Sequence, residues 1–112
     1  MQIKRAAAIA LGAVALLGSS PAMAYDINSY KDGAVHAYSY GTNTRVAVSD
    51  TKQDGHPVYV NYKRETSTEL YTLWNKSGNG TTITSASAGA IYVIQACVSI
   101  DGWPDSCDSK RE

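Results

Sequence analysis

The residue types able to do bond-breaking chemistry are few in this chain, and their spacing is poor for it. The two histidines, His36 and His56, stand apart, and neither accompanies a Gly-x-Ser-x-Gly elbow. Nucleophilic catalysis needs a hydroxyl or thiol beside a base that a third group orients. No local pattern supplies that trio, so no catalytic residue is assigned and the chain is expected not to be an enzyme. Both imidazoles are read as surface or hydrogen-bonded groups.

Metal chemistry fares little better. Asp50, Asp54 and Gly55 occupy the first, fifth and sixth positions of a calcium-loop template, but Lys52 stands at the third, and at the twelfth Asn61 replaces the bidentate Glu. The same spacing fits Asx turns, in which an Asp side chain accepts from the backbone two residues on. Asp101, Asp105 and Asp108 form a second acidic group among Gly and Pro, where carboxylates ordinarily solvate turns. Neither group commits to a metal, and no cofactor is expected. The sequons at Asn75-Lys76-Ser77 and Asn79-Gly80-Thr81 matter only where the host glycosylates exported proteins.

The feature most open to a functional interpretation is aromatic. Eight Tyr and two Trp, with no Phe, all lie beyond residue 24. If Val58 and Val60 face inward, Tyr59 points away from the core, and Tyr71 can lie beside it on the next strand; Trp103 falls in a loop between the two cysteines. Rigid aromatic surfaces with a polar tip bind sugars and protein partners at low entropic cost. The competing explanation is that Tyr stands in for the missing Phe as a cross-strand packing residue.

These side chains need elements to hold them. Lys4 and Arg5 precede an apolar run over residues 6–18 and a small-residue site at Ala22-Met23-Ala24, the pattern of a secretory signal peptide. That run is shorter than the roughly 18 apolar residues of a membrane span. Residues 1–24 are therefore expected to be removed, leaving residues 25–112 as one small exported domain with no membrane association. Thereafter Tyr, Val, Thr and Ile recur in short runs between Gly, Asn, Asp and Ser, which is the pattern of strands and turns. Six strands are expected, over residues 34–40, 44–49, 57–64, 70–75, 81–85 and 90–100, with the second paired to the third. The alternation at 57–64 is the cleanest. The run at 90–100 is apolar on both faces and is placed centrally. The fold class expected is all-β, a small antiparallel β-sandwich of immunoglobulin or fibronectin type, with a partly open barrel as the alternative.

Export also places the only two cysteines, Cys97 and Cys107, where disulfides persist, and they are expected to be bonded. Closing that ring stabilises a domain of this size by roughly 3 kcal/mol. The exported part carries two more acidic than basic residues, and no basic patch, which argues against nucleic acid as a partner.

The segment Asp50-Thr51-Lys52-Gln53-Asp54-Gly55-His56, the strand Val58-Tyr59-Val60, Leu73-Trp74-Asn75 with Gly78-Asn79-Gly80-Thr81, and Gln95-Ala96-Cys97-Val98 up to Cys107 resemble a group of small exported actinobacterial proteins. The resemblance covers roughly residues 44–107. It implies a β-rich domain behind a signal peptide with one C-terminal disulfide, and it carries no activity, ligand or catalytic residue. The function expected is a non-catalytic extracellular binding or interaction module, its partner a protein or a carbohydrate, contacted through Tyr59, Tyr71 and Trp103. The alternative is an inhibitor of a secreted hydrolase, a protease or amylase, that presents the loop from Cys97 to Cys107 as a stiff decoy.

Overall fold

The structure is a computed structural model that describes residues 26–112, so the expected signal segment lies outside the described residues. The described residues form strands and no helix: β1 (Asn28–Lys31), β2 (Val35–Tyr40), β3 (Arg45–Asp50), β4 (Val58–Arg64), β5 (Tyr71–Asn75), β6 (Thr82–Thr84), β7 (Ile91–Val98) and β8 (Ser106–Cys107). The six expected strands become β2 to β7. The short polar strands β1 and β8 have no apolar alternation to announce them.

The strands build two antiparallel sheets, ordered β1-β2-β3-β6 and β5-β4-β7-β8, stacked as a small β-sandwich. Consecutive strands β3 and β4 lie in different sheets, as do β6 and β7, while β3 pairs with β6 and β4 with β7. This interlock reproduces the A-B-E and C-F-G neighbours of immunoglobulin-type sandwiches. The expected pairing of the second strand with the third is thereby corrected. The connection over residues 51–57 is long enough to cross between sheets, and it brings Val46 and Val48 opposite Val58 and Val60 across the core, where all four are buried.

The core is made of small side chains. Ala37, Val46, Val48, Val58, Val60, Ile94, Ala96 and Val98 fill it, with Tyr62 as its large member. Strand β7 runs between β4 and β8, and one extra residue, Tyr92, bulges out where Lys63 pairs with Val93 and Arg64 with Ile91. The outward faces of Val93 and Cys97 are buried too. The disulfide and the C-terminal tail cover that side, the tail through a bridge between Ile94 and Arg111 and a bond from Asp108 N–H to Ala96 O.

Three buried polar side chains bind the sheets to each other and to their loops. Asn75 on β5, fully buried, donates from Nδ2 to Val48 O (3.1 Å) and Thr81 O (3.0 Å) and accepts from Ser77 N–H (2.9 Å). Ser29 on β1 accepts from Ala96 N–H of the opposite sheet (2.9 Å) and donates to Asp108 (2.7 Å). Arg64, 6% exposed, donates to the carbonyls of Thr44, Gly89 and Ala86, which ties together the turns at one end of the sandwich. Gly89 has to be glycine there, because a Cβ would sit 2.3 Å from Thr66 Oγ1.

Alternation of strand direction places the connections β1–β2, β3–β4, β5–β6 and β7–β8 at the other end. They are fastened together: Thr51 N–H bonds Ala34 O, Gly80 N–H bonds Asp50 O, Ser99 N–H bonds Pro57 O, and Ser106 Oγ donates to Asp32.

Candidate binding site

The cystine loop rises from this end. Cys97 and Cys107 face each other as paired residues of β7 and β8 and are disulfide-bonded. Between them Ile100 to Trp103 closes a reverse turn through Trp103 N–H and Ile100 O (3.1 Å), with Gly102 at φ 74°, a backbone geometry that favours glycine. Trp103 stands on this turn 74% exposed. The returning limb is held twice more, by Ser106 on Asp32 (2.6 Å) and by a hydrogen bond that the Tyr59 hydroxyl donates to Asp105. The tip is thus an exposed indole on a short ring tethered at both feet.

Tyr59 does point away from the core, but it is 9% exposed and lies under other groups. Across the outer face of its sheet the registers place Trp74, Tyr59, Cys97 and Cys107 side by side in one row. The Trp74 ring lies 4.4 Å from that of Tyr59, and Lys76 Nζ sits 4.9 Å above Trp74. Burial pushes the Tyr59 phenol up to about 12, and the bond and charge of Asp105 act in the same direction. Its role is to anchor the loop. Tyr71 is not its neighbour, which corrects the expectation. It shares the inward face with Leu73, pairs with Tyr62 and stacks on that ring at 5.3 Å. Trp74 occupies the place expected of Tyr71. Only the register Tyr59↔Trp74 could reveal this, and neither strand's alternation contains it.

Beside the loop's foot, the β3–β4 and β5–β6 connections enclose a cavity of about 320 Å³ lined by Asp50, Lys52, Asp54, His56, Lys76 and Ser77, among others. The Asp spacing makes Asx turns: Lys52 N–H donates to Asp50 Oδ1 (3.2 Å) and His56 N–H to Asp54 Oδ1 (3.0 Å). The fold therefore brings His56 together with two carboxylates and a serine. Among the described residues no hydrogen bond joins the imidazole to Asp50, Asp54 or Ser77, and the two carboxylates instead accept from backbone N–H groups. Among the described residues, no group of three or more His, Cys, Asp or Glu is arranged to hold a metal ion.

The acidic group around the cystine is dispersed into separate structural tasks. Asp105 holds Tyr59, while Asp108 accepts from Ser29, from Tyr30 N–H and from both Arg111 Nε (2.9 Å) and an Arg111 Nη (2.7 Å). The Arg111 guanidinium, more than any other group, holds the Asp108 carboxyl well below the usual carboxylate range, against the opposing effect of burial. On the far sheet, Tyr30, His36, Tyr38 and Tyr40 form a ladder with ring centroids 4.2, 4.9 and 5.9 Å apart. Tyr38 is the β2 partner of Ala47, which is fully buried. Burial lowers the His36 pKa, and its Nε2 lies 2.8 Å from Asn28 Oδ1. His36, Tyr38 and Tyr40 pack along that face, as the cross-strand explanation for Tyr would have it, while Tyr30 at its edge stays exposed.

No protein-family model, curated protein or solved structure matches this chain.

Proposed function

We propose that the chain is a non-catalytic extracellular binding module whose contact surface is the loop end of the sandwich, led by Trp103. The observation that carries this is the 74% exposure of that indole on a loop tied down by the disulfide, by Tyr59 and by Asp32. A large aromatic side chain left in water serves no packing purpose, and a loop ordered in advance loses little entropy on binding. The disulfide is consistent with an oxidising compartment outside the cell, which the signal pattern suggests independently.

The test uses immobilised protein, wild type and Trp103→Ala, exposed to culture-supernatant proteins and to insoluble polysaccharides. Capture by the wild type that falls at least roughly tenfold in the variant, with an unchanged melting curve, supports the proposal; a fold-change of that size is about 1.4 kcal/mol. Equal capture by both proteins removes Trp103 from the contact surface. No capture from either source removes the binding module itself.

The hydrolase-inhibitor alternative draws on the same rigid loop. Against a substrate-mimicking form, Ile100 to Trp103 is folded as a reverse turn and is not extended as a bound peptide would be. Unimpaired activity across a panel of secreted proteases and amylases would dispose of it.

A further inference from the structure

The cavity at the loop end holds a combination of groups that the fold alone does not require. Asp50 is 4% exposed, yet among the described residues its carboxylate accepts one hydrogen bond, from Lys52 N–H to Oδ1. A carboxylate has capacity for about four such bonds, and a buried one is costly while they go unmade. Lys52 and Lys76 line the same cavity, but neither ammonium reaches Asp50 or Asp54: the ion pairs among the described residues are Lys31 with Asp32 and Arg111 with Asp108. The walls are preformed. Gly80 N–H and Thr81 O hold the main chain of Asp50, and Asn75 pins the start of the β5–β6 connection.

This mixture discriminates between ligand classes. An anion would meet the Asp50 and Asp54 carboxylates, and a metal ion would meet the positive charge of Lys52 and Lys76 on the cavity lining, the Lys76 ammonium lying over the Trp74 ring. An uncharged molecule that both donates and accepts hydrogen bonds satisfies all of them without burying another charge. Vicinal hydroxyls can donate to the free oxygen of Asp50 while their own lone pairs accept from Lys52 and Asn79, and from Lys76 once its ammonium leaves the Trp74 ring. A volume of about 320 Å³ accommodates a single sugar ring. Gly55, Pro57 and Gly78 supply non-polar wall for the C–H face of such a ring.

We infer that this cavity is a binding site for a neutral sugar unit, with Asp50 as the acceptor of its hydroxyl groups and Lys76 at the rim. The inference rests on the loop end being the binding end, and it names the ligand class that the cavity there would take.

The experiment is an amide-resolved NMR titration of the intact disulfide-bonded protein with glucose, galactose, mannose and N-acetylglucosamine, and separately with calcium chloride and inorganic phosphate. Saturable shifts are expected for at least one sugar, confined to amides such as Lys52, Gly55, Ser77 and Asn79. Asp50→Asn keeps an acceptor for Lys52 N–H but loses the charge, and it should weaken binding by roughly tenfold or more, the effect of one charge-assisted hydrogen bond. Should that variant lose its dispersed spectrum, Lys76→Ala, an exposed change, should still weaken binding several-fold. Silence of these amides to every sugar overturns the inference, as does a response to calcium or phosphate in place of sugar. If the amides stay silent while capture remains Trp103-dependent, the sugar site falls and the binding module stands. Sugar shifts that persist while Trp103→Ala captures as well as wild type leave the cavity and dismiss the loop.

Discussion

Side chains of one type perform unrelated tasks here according to what surrounds them. Two sequon-like asparagines lie four residues apart, but Asn75 is fully buried and bonded to two carbonyls and an amide, whereas Asn79 is exposed. Asn75→Ala deletes the hydrogen bonds to Val48 O, to Thr81 O and from Ser77 N–H at a fully buried position, so a loss of about 3 kcal/mol in urea-monitored stability is expected. Trp103→Ala, removing an exposed side chain of far greater area, should change stability by less than about 0.5 kcal/mol. Absorbance can follow Tyr59. Its phenol should ionise near pH 12, and Tyr59→Phe should abolish that step in an alkaline titration followed at the tyrosinate band. The sign is that of a raised folded pKa: the stabilising contribution is complete below the unfolded tyrosine value of about 10 and is lost as pH rises through the folded value. Which face Tyr71 occupies was not legible, because the run at 70–75 is apolar on both parities; Tyr62 opposite it decided the matter.

At the level of elements, the strongest local signals were alternation and turn chemistry, and they located β2 to β7 to within a residue or two. Strands β1 and β8 escaped because what stabilises them is remote. Ser29 of β1 bonds Ala96 and Asp108, and β8 is held by the cystine to β7. The disulfide closes a ring with a sequence separation of 10, and replacing both cysteines with serine should lower stability by about 3 kcal/mol, read from the urea midpoint. Amide exchange in that double variant should accelerate most in residues 98–106. The bond from Tyr59 to Asp105 remains available to hold the loop's foot, so β4 to β7 should stay protected.

Residues 26–112 form a sandwich whose small-residue core is supplemented by polar links between sheets, tail and loops, and its response to acid follows from one of them. Asp108 joins β1, β7 and the tail, and its depressed pKa contributes stability that is complete above the ordinary carboxylate value of about 4. That contribution is lost as pH falls through the lower folded value. Asp108→Asn should therefore be less stable than wild type at pH 6, and its stability should decline less steeply below pH 4; urea midpoints collected between pH 6 and 2 test both. Properties set by neighbours in sequence were available from the chain alone: the positions of the main strands, the Asx turns at Asp50 and Asp54, the turn in the cystine loop, and the pairing of two cysteines that had no other partner. They are local because a period of two and a favoured turn need only adjacent residues. The tertiary structure decided which strand lies beside which, that Trp74 and not Tyr71 meets Tyr59, and that Asp50, His56 and Lys76 share one cavity. Those are matters of register and sheet crossing, set by packing between segments that are distant along the chain, and no local pattern encodes them.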